Sequence, residues 1–156
     1  MGKVIALDYG EARVGVAAAD ENVGVATGLE TLRWEGRKDL KSSLEGLVEE
    51  HDPVRWVVGY PLNMDGSRGE RCEAVERFAR RLVGWFDRPV VFWDERLTSA
   101  GARRVQHRAG VREERAREAG SVDRASAVLI LQGWLDAPDR SGVEWSPHGP
   151  QEQDEG

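Results

Sequence analysis

The chain has 156 residues, a formal charge of −6 and 40% apolar residues, which is enough for one domain with a buried core. No apolar run approaches the roughly 18 residues that span a bilayer, and the N-terminus lacks a signal-peptide pattern. A single cysteine, Cys72, excludes an internal disulfide framework, suits a reducing cytosol and reads as a small packing residue.

In chain order, Val4–Asp8 predicts a first strand and Val14–Ala19 a second, joined by a tight turn at Gly10. Residues 23–32 predict a weaker third strand, which completes an antiparallel meander. From Asp39, the residues Leu40, Leu44, Leu47 and Val48 follow helical spacing, and Asp52-Pro53 ends that helix. RWVVGY (55–60) predicts a fourth strand and PLNMDGSRG (61–69) a turn-rich loop. A second helix then carries Cys72, Val75, Phe78, Ala79, Leu82 and Phe86 on one face. Pro89 breaks it before strand five, VVFW (90–93).

Thr98 or Ser99 caps a predicted third helix over about 99–109. Residues 110–120 read as a mobile loop or frayed helix, and Ser121 caps a final, strongly apolar helix. Beyond Ala137 the prolines, glycines and acids predict a disordered tail over 138–156. The element order predicts an α/β fold: a mixed five-stranded sheet with helices on both faces.

Charge is unevenly distributed. Residues 136–156 hold six acids and one arginine, whereas residues 96–117 hold seven arginines against Glu113 and Glu114. Arg96, Arg103, Arg104 and Arg108 belong to that basic stretch, which a nucleic-acid enzyme uses to grip phosphates; a solvated helical face accounts for the charge equally well.

Acids stand at the ends of separate elements: Asp8 closes the first strand, Asp94-Glu95 follows the fifth, and Asp123 opens the last helix. An ionised group ending an interior strand is costly without a partner or a metal, although Asp before Tyr-Gly is also a common turn former. Asp94 and Glu95 point to opposite faces, so one of them enters any shared site; with helices covering both faces, alternation alone does not choose. Asp123 is equally explained by the helix dipole. Convergent carboxylates favour a hard cation, Mg²⁺ or Mn²⁺, and the three histidines show no ligand spacing. In the 61–69 loop, Asn63, Asp65 and the N–H groups near Gly66 suit a phosphate or sugar; a plain turn explains them too.

LDYGEARVGVA, VVGYPLNMDGS, WDERLTS and GSVDRASAVLIL occur in this order. In these motifs the chain resembles the YqgF family, also called RuvX. Its members are RNase H-like proteins related to the RuvC Holliday-junction resolvases and carry the name "putative pre-16S rRNA nuclease". The resemblance covers about residues 1–137. It implies an RNase H-like (RuvC-like) fold, two-metal phosphodiester hydrolysis with Mg²⁺ or Mn²⁺, and a cytoplasmic location. It also implies Asp8, Glu95 and Asp123 as catalytic, metal-binding acids. RNase H and RuvC relatives carry an acid on the strand after the first helix; here that strand ends Gly59-Tyr60-Pro61, so Glu95 substitutes for it.

The expected partner is nucleic acid: an RNA precursor, or branched or single-stranded DNA, with the ribosome nearby and the protein a monomer or homodimer. Two rivals remain at this point, a junction endonuclease acting in DNA recombination and repair, and a non-catalytic nucleic-acid or ribosome-binding module. A sugar kinase or actin-like ATPase needs two such domains, more than 156 residues supply.

Overall fold

The computed structural model describes residues 2–10, 12–63, 65–95, 113–137, 143–146 and 149–150. Strands β1 (Lys3–Tyr9), β2 (Arg13–Asp20) and β3 (Thr27–Arg33) form the expected antiparallel meander. Helix α1 (Arg37–His51) crosses to β4 (Arg55–Tyr60), which pairs parallel with β1. Helix α2 (Glu70–Phe86) crosses to β5 (Val90–Asp94), which pairs parallel with β4. The sheet order is β3-β2-β1-β4-β5-β6-β7, so β1 lies in the interior.

Alternation sorts the strand residues into two cores. Ile5, Leu7, Val14, Val16, Trp56, Val58, Val90 and Phe92 pack with Leu40, Leu44 and Leu47 of α1 and with Val75, Phe78 and Leu82 of α2. Val4, Ala6, Ala17, Val57, Val91 and Trp93 pack with Ala127, Ile130, Leu131, Trp134 and Leu135 of α3 (Glu113–Asp136) on the other face. The mixed sheet covered by helices on both faces is as the sequence predicts.

Helices α1 and α2 stop alike. Asp52 (φ 46°) and Asp87 (φ 55°) adopt the left-handed conformation, and their N–H groups donate to Val48 and Val83 carbonyls at 2.8 Å. Asp tolerates that conformation better than most side chains, and Pro53 and Pro89 forbid further helix.

Two expectations are corrected. Helix α3 begins at Glu113 instead of at a Ser121 cap, so of the stretch read as a mobile loop or frayed helix, residues 113–120 are helix. Its Glu, Arg and Ala residues are good helix formers, and Gly120 costs only about 1 kcal/mol against that run. Residues 143–146 and 149–150, placed by sequence in a disordered tail, form strands β6 (Val143–Ser146) and β7 (Gly149–Pro150). Strand β6 pairs antiparallel with β5, Val90 opposite Trp145, and covers an edge that is otherwise open among the described residues. The helix expected over 99–109 lies outside the described residues. No described helix is long and apolar enough to cross a membrane.

Candidate active site

Asp8 shares alternation with Val4 and Ala6, and Glu95 with Val91 and Trp93, so both acids belong to the α3 face. Asp94 alternates with Val90 and Phe92 and belongs to the opposite face. Which of these two adjacent acids shares the face of Asp8 thus follows from which helix covers which face. Asp8 and Glu95 are 4% and 5% exposed, among the few buried polar side chains. Neither stands alone: each takes part in further polar interactions.

Gly59 explains how an acid just beyond β5 reaches over β4. Leu7 pairs with Val58, so Gly59 lies one step on beside Asp8, and it pairs with Trp93 on its other side. A Cβ at Gly59 would stand 2.5 Å from a Glu95 carboxylate oxygen, 3.1 Å from its Cγ and 2.7 Å from Ile130 Cδ1. The Glu95 carboxylate therefore lies over β4, the strand separating β5 from β1, in the space a larger residue would fill. A glycine inside an apolar strand signals such a close approach, and that signal was present in RWVVGY. What the sequence alone did not reveal is which group approaches.

Arg13 is a second residue missed by sequence reasoning. Asp8 pairs with Gly15, which makes Arg13 its diagonal neighbour on the same face, and Arg13 pairs with Arg33. Only the hairpin register brings that basic side chain beside the acid.

Asp123 lies in α3 four residues before Ala127 and seven before Ile130, both packed on the sheet. Its side chain is outside the described residues, as are Arg96, Arg103, Arg104 and Arg108. Among the described residues, no group of three His, Cys, Asp or Glu side chains converges to hold a metal. The donor chemistry of Asp8 and Glu95, two buried carboxylates on one face, fits a hard divalent cation.

The 61–69 loop is folded on itself. Asn63 C=O accepts from Gly66 N–H at 2.8 Å, Asn63 N–H donates to Ser67 C=O at 2.9 Å, and Asn63 Nδ2 donates to Ser67 Oγ at 2.9 Å. Asp65 Oδ1 accepts from Ser67 N–H (2.9 Å) and Oγ (2.6 Å), and Gly66 takes φ +89°. Asn63 and Asp65 thus build a turn, and the N–H groups of Gly66 and Ser67 are engaged within it.

That loop is tied to α2 through Glu76. Tyr60 donates its hydroxyl to Glu76 Oε2, while Arg68 donates from Nη2 to Oε1 at 2.6 Å and from Nε to Oε2 at 3.1 Å. Burial, then the bond to Glu76, pushes the Tyr60 hydroxyl up to about 12. Burial alone would raise Glu76, but the hydrogen bonds from Arg68 and Tyr60 outweigh it and hold the carboxyl below its ordinary range.

The family described as "RuvX: Holliday junction resolvase" matches residues 2–137. The chain is 45% identical over 136 residues to a protein of Syntrophus aciditrophicus (strain SB) named "Putative pre-16S rRNA nuclease", covering 86% of this chain and 89% of that one. It is 41% identical over 137 residues to one of the same name from Oceanobacillus iheyensis, covering 86% and 98%. A solved structure, T. thermophilus RuvC in complex with Holliday junction substrate, superposes with a TM-score of 0.52 at 15% identity. That superposition covers 88% of this chain and 95% of RuvC, a likeness of fold.

Proposed function

Because this chain belongs to the RuvX family, we propose that it is a nuclease hydrolysing phosphodiester bonds with Asp8, Glu95 and Asp123 as its metal-binding acids. The observation that carries this reading is the burial of Asp8 and Glu95 on one sheet face, with Gly59 vacating the space that the Glu95 carboxylate occupies. What supports Asp123 as the third acid is its helical spacing, one turn before Ala127 on the helix that covers the same face. When bound there, Mg²⁺ or Mn²⁺ supplies an activated water and charge stabilisation for the leaving oxygen. The carboxylates of Asp8, Glu95 and Asp123 would hold the cation, beside the apolar cluster of Val57, Trp93 and Ile130 on the same face. Arg13, diagonal to Asp8, counters phosphate charge at the same edge.

The substrate we propose is the 5′ region of pre-16S rRNA, on the names of the 45% and 41% identical relatives. Arg96, Arg103, Arg104 and Arg108 are proposed backbone contacts, and a cytoplasmic location belongs to the same reading. A second reading, cleavage of branched DNA, draws on the family's description as a Holliday junction resolvase.

The test incubates wild type, Asp8→Asn, Glu95→Gln and Asp94→Asn with precursor rRNA fragments, single-stranded RNA and four-way DNA junctions, in Mg²⁺, Mn²⁺ or EDTA. Wild type should cleave only with metal. Loss of a carboxylate ligand should cost more than the 10–100-fold typical of an outer-shell partner, so Asp8→Asn and Glu95→Gln should each exceed about 100-fold. Asp94→Asn should stay within about 10-fold. Full activity in EDTA, or inactivation by Asp94→Asn with Glu95→Gln active, would overturn the assignment.

A further inference from the structure

On the other side of the sheet edge from Asp8, a groove of about 400 Å³ opens between the end of β1 and helix α2. Tyr9 and Gly10 form one wall; Arg71, Ala74 and Arg77 form the other. The volume falls within the range of small-ligand clefts, roughly 300–1,000 Å³. It is a structured groove. The Tyr9 ring is braced by Phe78, with centroids 4.3 Å apart and planes at 18°, and by Trp34 at 6.0 Å. Buried Val75 also lines it, as does the small Ala74.

Its electrostatics select an anion. Arg71 and Arg77 are exposed on the helical wall, and the acid lining the groove beside them on that wall is Glu70. Six residues of α-helix separate the two arginines by about 9 Å along the axis, a spacing suited to phosphates in series. The opposite side of the same edge is basic too, since the β2–β3 register sets Arg13 opposite Arg33. Gly10 lies between the two sides, where a Cβ would stand 2.8 Å from the Arg13 carbonyl oxygen.

We propose that this groove is a second binding subsite for a nucleic-acid strand, in which Arg71 and Arg77 hold successive backbone phosphates against the wall made by Tyr9. The identity of the ligand rests on the nuclease reading; the existence of an anion groove rests on its own geometry. Tyr9 directly follows Asp8, about 3.8 Å away between Cα atoms, so a strand leaving the groove passes over Gly10 to the carboxylates. The groove thereby fixes the strand on one side of the cleavage position.

The test measures anisotropy of a labelled 20-nucleotide single-stranded RNA with the full chain in EDTA, from 50 to 200 mM KCl. Two variants act differently: Arg71→Ala/Arg77→Ala removes charge, and Ala74→Leu fills the groove with charge intact. Each should weaken binding at least about fivefold while melting within about 2 °C of wild type. The double variant should also lower the log–log salt slope by about 1.4, roughly 0.7 for each lost contact to a single strand. Loss in only one of the two, loss in neither, or no binding by wild type overturns the proposal. Metal-dependent cleavage, assayed in parallel, separates the two readings. Cleaving wild type with unaffected variants removes the groove and leaves the nuclease; groove-dependent binding without cleavage by wild type does the reverse.

Discussion

Gly59 has room for a hydrogen atom and little else, since a Cβ would press on both Glu95 and Ile130. Gly59→Ala should therefore destabilise by about 1–3 kcal/mol, as overpacking does, and lose cleavage by displacing the carboxylate. In Gly59→Ala/Glu95→Ala the contact with the acid is gone, so the double variant should be more stable than the two single costs added together; urea denaturation measures this. Additive costs would place the Glu95 side chain elsewhere. Glu76 titrates in the opposite sense to a buried unpaired acid. Its folded pKa is depressed, so its stabilisation is present above the ordinary carboxyl range and is lost as pH falls through the folded value. Wild type should accordingly exceed Glu76→Gln in stability at pH 7, with the gap closing on acidification below about pH 4.5. At high pH Tyr60, raised to about 12, keeps its proton; its contribution holds below 10 and is lost as pH rises through about 12.

At the scale of elements, the two helix ends and the strands after them are tied together by Arg88. Its Nε donates to Pro53 C=O at 2.6 Å, Nη1 to Phe86 C=O at 3.0 Å and Nη2 to Asp52 Oδ1 at 2.7 Å. The Asp52 carboxylate is 85% exposed, so that ion pair adds little and the two carbonyl bonds matter more. Arg88→Ala should cost roughly 1–3 kcal/mol, and Arg88→Lys should not restore it, because one ammonium cannot reproduce the fork. Chemical denaturation of both variants checks this; full recovery with Lys would reduce the clamp to a point charge. The pattern of apolar spacing made α1, α2 and β1–β5 legible in the sequence, since each buries one stripe or a continuous run. The start of α3 was not legible, because residues 113–120 form helix by propensity without an apolar stripe to announce it.

For the whole molecule, the edge of the sheet is the open question that β6 answers. Three residue pairs, Val90–Trp145, Val91–Glu144 and Phe92–Val143, cover a ladder that is otherwise free among the described residues. Deleting 138–156 should lower the melting temperature by more than about 2 °C, at the 2–4 °C per kcal/mol expected for a chain of this size. It should also promote self-association, seen in light scattering. An unchanged melting temperature with no association would mean the edge strand adds nothing to the fold.

What the sequence determined by itself was local and periodic: five strands, two helices with their proline stops, and Asp8 at a strand end. Motif order also sufficed to assign the family, because LDYGEARVGVA and WDERLTS carry it without coordinates. Whether Asp94 or Glu95 joins Asp8 was beyond the residues alone. Alternation separates neighbours onto opposite faces, but only the packing of Ile130 and its helix says which face holds Asp8. Likewise Arg13 meets Asp8 only through a hairpin register, and Gly59 yields its space to an acid thirty-six residues away. Such contacts depend on how strands are ordered side by side, which no local pattern encodes.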